Sequence, residues 1–158
     1  MQPRILTTNE KKLIGQRLTM SLAQNKMKEL WQGFSPRRME IADACSNDLI
    51  SLVVYAPDHF QAFHPNNEFE RWAAVEVSHF STIPAGMESF VVPAGLYAVF
   101  DYRGLNTDPS IFRYIFETWL PDSAYLLDNR PHFEVLGDRY KNNDPASEEE
   151  LWIPVKPK

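Results

Sequence analysis

An α+β fold of duplicated β-α-β-β units, with halves at about residues 10–80 and 88–157, is predicted by three observations. Two stretches, Met27 to Phe34 and Ile111 to Trp119, carry apolar residues at helical spacing. Each is preceded by one strand-like run and followed by two, and each keeps a Trp near its end, Trp31 and Trp119. The closing strands also match, Ala74-Val75-Glu76-Val77 beside Trp152-Ile153-Pro154-Val155. Such a duplication predicts antiparallel sheet halves with two helices packed on one side, and a central ligand pocket on the sheet face left free.

In the first half, Leu13, Leu18, Met20 and Leu22 make Lys12 to Leu22 a strand. Ala23 to about Phe34 is an amphipathic helix, with Met27, Leu30, Trp31 and Phe34 on one side and Lys26, Lys28, Glu29 and Gln32 on the other. Gly33 and Pro36 weaken its end, and the pattern fits both a continuation and a separate turn from Arg37 to Ala44. Leu49 to Tyr55 is a β-branched run bounded by Ser46-Asn47-Asp48 and Pro57-Asp58, hence a buried strand. After a polar connection through His64-Pro65-Asn66-Asn67, Trp72 to Val77 alternates: Ala73, Val75 and Val77 share one face, and Trp72, Ala74 and Glu76 the other.

Two Pro-Ala-Gly corners, at Pro84 and Pro93, pin a strand between the halves. Leu96 to Tyr102 opens the second half, and Asp108 is placed to cap a helix whose first residue is Pro109. Pro121 predicts the end of that helix near Leu120. Phe133 to Leu136 and Glu149 to Lys156 are the closing strands.

The 158 residues suit a single domain, residues 1–158, around one core. A net charge of -5 argues against direct nucleic-acid binding, which needs clustered Lys and Arg, and favours cationic partners. Pro36-Arg37-Arg38 is too short a basic cluster to change that. Aromatic residues at 13% exceed the usual needs of such a core, so some are free to line a pocket. One Cys, no apolar run of spanning length and no signal-like N-terminus predict a cytoplasmic protein with no membrane association. The scattered His59, His64, His79 and His132 lack metal-ligand spacing, and no phosphate loop or nucleophile elbow is present, so no cofactor or metal is expected.

Glu134 is the sharpest candidate site residue. The strand period sends Phe133 and Val135 to one face and Glu134 and Leu136 to the other. With Phe133 and Val135 against the helices, Glu134 points into the pocket, where desolvation disfavours its charge and a cation restores it. The alternative is a solvated carboxylate on an open face. The same alternation groups Glu150 and Trp152, and in the first half Trp72 and Glu76, on the pocket side, with Tyr97 as a further wall. Trp rings beside carboxylates suit a flat cation through stacking, cation–π attraction and charge pairing.

The run Ile83 to Gly104, with its Pro/Gly corner, apolar strand, Pro-Ala-Gly and Tyr97-Ala98-Val99-Phe100, resembles the GyrI-like, or AraC-type effector-binding, domain family. Trp119-Leu120-Pro121, Pro131-x-Phe133-Glu134 and Glu150-x-Trp152-Ile153-Pro154-Val155 are similar to its later landmarks, in order. The resemblance implies a central pocket for amphipathic, often cationic, compounds around a Glu, which Glu134 matches, with Glu150 and Trp152 as a further pocket acid and aromatic. Leu136 stands where the family usually has an aromatic, and Trp152 where it often has Tyr. Many members carry a helix-turn-helix unit; about ten residues precede the first strand here, so a stand-alone ligand-binding domain is expected. Some stand-alone relatives hydrolyse cyclopropane-bearing genotoxins and others modulate DNA gyrase. The resemblance therefore implies a small-molecule binder first, a hydrolase using Glu134 or Glu150 as the alternative, and a protein partner of gyrase type as a third reading.

Overall fold

The computed structural model describes residues 1–158. Nine strands form one antiparallel sheet: β1 (Arg4–Thr8), β2 (Lys11–Met20), β3 (Leu49–Val54), β4 (Phe69–Val77), β5 (Glu88–Val92), β6 (Gly95–Arg103), β7 (Tyr125–Leu127), β8 (His132–Leu136) and β9 (Glu148–Pro157). Their order is β1-β6-β9-β8-β3-β4-β2-β5, with β7 pairing the end of β9. The two predicted halves meet where β3 pairs β8, with Ser51 opposite Glu134. Outward from this seam each half has the same order, β3-β4-β2 and β8-β9-β6. The duplication extends further than its sequence signal. The strand preceding each half pairs with the other half, β1 with β6 and β5 with β2, so the halves exchange arms.

Helix α1 (Met27–Phe34) starts later than the amphipathic pattern, because Ser21 to Gln24 form a turn in which the Ser21 hydroxyl accepts from the Gln24 N–H at 3.0 Å. The chain then tightens into a 3₁₀ turn, Ser35–Glu40, held by the Arg37–Glu40 ion pair. The second helical segment runs through α2 (Ser110–Tyr114), a widened π turn (Ile115–Trp119) and α3 (Leu120–Asp122). It passes the stop expected at Pro121. In the widened turn the Leu120 N–H bonds back to Ile115, five residues away, so the proline ring enters where the regular i→i−4 ladder is already interrupted. No helix is long and apolar enough to cross a membrane.

Both helical segments lie on one sheet face, as predicted. Leu30 and Phe34 of α1 pack on Ile14, Val53, Ala73 and Val75; Ile111 and Ile115 pack on Ala98, Phe100, Leu151 and Ile153. The opposite face is not free. Only Pro93 and Ala94 separate β5, at one end of the sheet, from β6, next to the other end. Two residues span about 10 Å, so the sheet must curl until its ends approach. Its concave side is filled by Leu13, Leu52, Trp72, Val92, Tyr97 and Phe133, with Trp152 packed against them.

Candidate functional site

The sheet register decides which face each candidate residue occupies. Glu134 lies opposite Ser51 on β3 and Leu151 on β9, and Ser51 lies opposite Ala73 on β4. Ala73 belongs to the α1 side of the core and Leu151 to the α2 side, so Glu134 faces the helices, between them. Phe133 and Val135 point the other way, into the concave core. The expected orientation is thereby corrected: both sheet faces are apolar, and alternation alone does not say which of them the helices cover.

The other five predicted residues are on the concave side, away from Glu134. Trp72 and Tyr97 are buried core residues, and the Tyr97 hydroxyl donates to the Pro131 carbonyl at 3.0 Å. Burial pushes the Tyr97 phenol up to about 12. Trp152 stacks on Phe133, ring centroids 5.1 Å apart, with Lys11 Nζ 5.5 Å from its centroid. Glu150 is held by Arg4 at 2.9 Å and accepts from the Trp152 indole N–H at 3.2 Å; Glu76 is paired with Lys11 at 3.6 Å. These groups fill one another's valences rather than line a ligand cavity with Glu134.

Around Glu134 a different set converges. Arg71, on β4, approaches Glu134 Oε1 at 3.5 Å and donates to Ser51 Oγ at 2.9 Å. The Arg71 and Glu134 side chains are only 15% and 21% exposed, so their interaction is poorly screened by water. Glu149, on β9, shares the inward face with Leu151 and Ile153. Arg71 stands three residues before Ala74 and Glu149 three before Trp152, so the two occupy equivalent places in the duplicated halves. Three buried atoms here have no partner, Arg71 Nε, Glu149 Oε2 and, in the loop after β3, His59 Nδ1. An unpartnered buried polar atom costs about 1–3 kcal/mol, so these atoms are free to take a further polar partner.

The electrostatics follow from this crowding. Desolvation raises the Glu134 carboxyl above its ordinary value, with Arg71 pulling the other way. Glu149 is pushed up to about 8, chiefly by desolvation and further by the Glu134 charge. Burial raises the Tyr55 and Tyr140 phenols; the Glu134 charge adds to both and the Glu149 charge to Tyr140. The Tyr140 hydroxyl accepts from Asn106 Nδ2 at 3.0 Å. His132 is pushed down to about 3 by burial, with Arg71 and His59 adding to the effect.

An aromatic roof closes the site. Tyr55 at the end of β3 packs on His132, His59 and Phe60, with centroids 5.0, 4.4 and 4.9 Å away. Phe60, carried by the loop between β3 and β4, reaches across to stack on Phe116 of the π turn at 5.5 Å. Phe60 and Phe63 remain 42% and 56% exposed, so the roof keeps an apolar surface toward solvent. Two open grooves lie elsewhere, beside β2 and α1. One is lined by Thr19, Ser21, Gln24, Lys26 and Glu68, which offer little apolar cover. Arg71, Glu149, Tyr55 and Phe60 were not among the residues predicted from sequence. Arg71 and Glu149 had a legible signal, an Arg within an apolar strand and its equivalent acid in the other half.

The profile of the family described as Cass2, integron-associated effector binding protein, matches residues 4–155. The chain belongs to that family. The Cass2 assignment agrees with the GyrI-like resemblance. Over 98% of its length the chain is 31% identical to the transcriptional regulator BrlR of Pseudomonas aeruginosa, and it spans 56% of that regulator. The integron cassette protein VCH_CASS2 of Vibrio cholerae has a similar fold, with a TM-score of 0.69 at 16% identity, covering 99% of this chain and 97% of that one. SAV2435, solved bound to tetraphenylphosphonium, has a TM-score of 0.68 at 20% identity, covering 99% and 94%.

Proposed function

We propose that this Cass2-family chain binds amphipathic organic cations between its two helices, with the cationic centre on Glu134 and the apolar groups against Tyr55, Phe60 and Phe116. One observation carries the reading: a half-buried carboxylate at the seam of the two halves, enclosed by aromatics and held by a single guanidinium at a long 3.5 Å. A carboxylate so placed is desolvated without being fully paired, and an added cation recovers the Coulomb energy in a poorly screened setting. The binding of tetraphenylphosphonium by SAV2435, a protein of the same fold, supports the ligand class. The role is sequestration or effector sensing.

Titration with tetraphenylphosphonium, followed by calorimetry, tests this. Wild type should bind, and Glu134→Gln, which keeps shape and removes charge, should weaken binding by about 30-fold or more, a loss of about 2 kcal/mol. Equal affinities for the two proteins would remove Glu134 from the site.

A hydrolytic role has one feature in its favour. Glu149, held protonated near neutrality, beside Glu134 offers an acid and a base in one apolar site. Glu150, the other acid considered for that role, faces away and is held by Arg4. Turnover of an electrophilic ligand, lost in Glu134→Gln, would distinguish an enzyme from a binder.

A further inference from the structure

We propose that a monovalent organic cation enters the Glu134 site in exchange for one proton, and that the Glu149 carboxyl is the group that gives the proton up. The proposal rests on the reading of Glu134 as the cation site. It starts from a charge inventory of the groups that face one another there. β8 contributes Glu134 and His132, β9 contributes Glu149, β4 contributes Arg71, and β6 places Tyr102, its phenol raised by burial, directly opposite Glu149. Tyr55 follows β3, His59 lies in the loop after it, and Tyr140 lies in the loop between β8 and β9. The α2 side brings Phe116, which has no charge. Two carboxyl groups thus share one guanidinium, because the imidazoles and phenols are neutral.

Geometry makes the two acids unequal. Glu134 receives Arg71, whereas Glu149 has a buried oxygen with no partner at all. Two ionised carboxylates in an apolar site with one countercharge leave a net negative charge out of water, and protonating one of them is the inexpensive remedy. The acid without the guanidinium takes the proton, in line with the upward push on Glu149. Arrival of a second positive charge reverses the balance. The O–H of Glu149 then releases its proton to buffer, the carboxylate formed pairs with the ligand's charge, and the site's total charge is unchanged. A neutral ligand of the same size has no such effect. The arrangement selects for a charge of one: a dication would leave an excess positive charge, and a neutral compound would leave the proton in place.

Calorimetric titration of the whole chain with tetraphenylphosphonium, in buffers of different ionisation enthalpy, reads the exchange directly. Near pH 7 wild type should release roughly one proton per cation, and near pH 9.5 almost none. Affinity should rise about tenfold per pH unit from 6 to 7 and level off above roughly 8. Glu149→Gln should bind with a flat pH profile and no proton release. Binding of tetraphenylphosphonium with no proton release and a flat profile in wild type would overturn the exchange and leave the cation site standing. Release that persists in Glu149→Gln would overturn the assignment to Glu149. If wild type binds no tetraphenylphosphonium anywhere between pH 6 and 9.5, the site reading and the exchange fall together.

Discussion

Gly15→Ala should destabilise the protein by about 4 kcal/mol, lowering the thermal midpoint by roughly 8–16 °C. Gly15 lies on β2 opposite Ala74, on the concave side of the sheet. A Cβ added there would fall 2.1 Å from the Ala73 carbonyl oxygen and 2.7 Å from Ala74 Cα. Both are backbone atoms of the neighbouring strand, so no side chain can rotate away and the strands themselves must part. Parting them pulls on the ladder that also carries Arg71 and Trp72. Gly33→Ala is the matched control. It sits in α1, where the new Cβ would meet only Gln16 Oε1 at 3.3 Å, and helix propensity favours Ala by up to about 1 kcal/mol. Chemical denaturation of both variants would settle the point: a Gly15→Ala protein within 1 kcal/mol of wild type would show that β2 and β4 are not locked together there.

Stability should peak on the acidic side of neutrality, and Glu149→Gln should reduce the decline toward alkaline pH. His132 and Glu149 set most of the shape, and Glu134, also raised by desolvation, acts in the same direction as Glu149. His132 lies at about 3 in the fold against roughly 6.5 when unfolded, so its contribution is complete above pH 6.5 and is lost as pH falls toward 3, about 1.4 kcal/mol per unit. Glu149 lies at about 8 in the fold against roughly 4.3 unfolded, the opposite sign. Its contribution is complete below about pH 4.3 and is lost as pH rises through 8, amounting to about 2 kcal/mol after allowance for the water that reaches a partly buried side chain. Between about pH 4.5 and 6.5 the two slopes oppose each other. Above that window only the carboxyl losses remain, that of Glu149 and that of Glu134, which desolvation also raises. Urea midpoints measured from pH 4 to 9 should show the decline in wild type and a clearly shallower limb in Glu149→Gln; a wild-type midpoint that keeps rising from 6.5 to 8 would refute the assignment. The same carboxyl thus weakens the apo fold at the pH where it is proposed to receive a ligand, a familiar exchange of stability for function.

Local periodicity made most elements legible, because strand and helix periods are written in neighbouring residues. The duplication was also legible through the matched ends Ala74–Val77 and Trp152–Val155, but not the β3–β8 seam at which Glu134 lies. What escaped was non-local. The short Pro93-Ala94 link gives no hint of how far apart in the sheet its two strands lie, so the concave face looked open. Once that face is filled, every residue sharing the parity of Phe133 becomes core or rim, and Glu150, Trp152, Trp72, Glu76 and Tyr97 are withdrawn from Glu134 together. In Glu148-Glu149-Glu150 a difference of one residue decides the face, so choosing Glu150 instead of Glu149 followed from the single orientation error. Phe60 sits in a polar, Pro- and Asn-containing loop, and only the tertiary reach to Phe116 shows what it covers.

The exchanged arms bear on how the chain folds. β1 is completed by β6, about 90 residues later, and β5 closes the edge of β2, so neither half has its full complement of strands without the other. Such long-range pairings enter late, after loop closure has been paid in entropy, and they make the two halves a single cooperative unit. Cleavage within the Ser78–Gly86 linker should therefore give two fragments that stay associated through gel filtration and unfold together in one denaturant transition, whereas either fragment alone should lack the full β-sheet signal. The duplication is a record of two equal parts, and the clasp has made them thermodynamically indivisible.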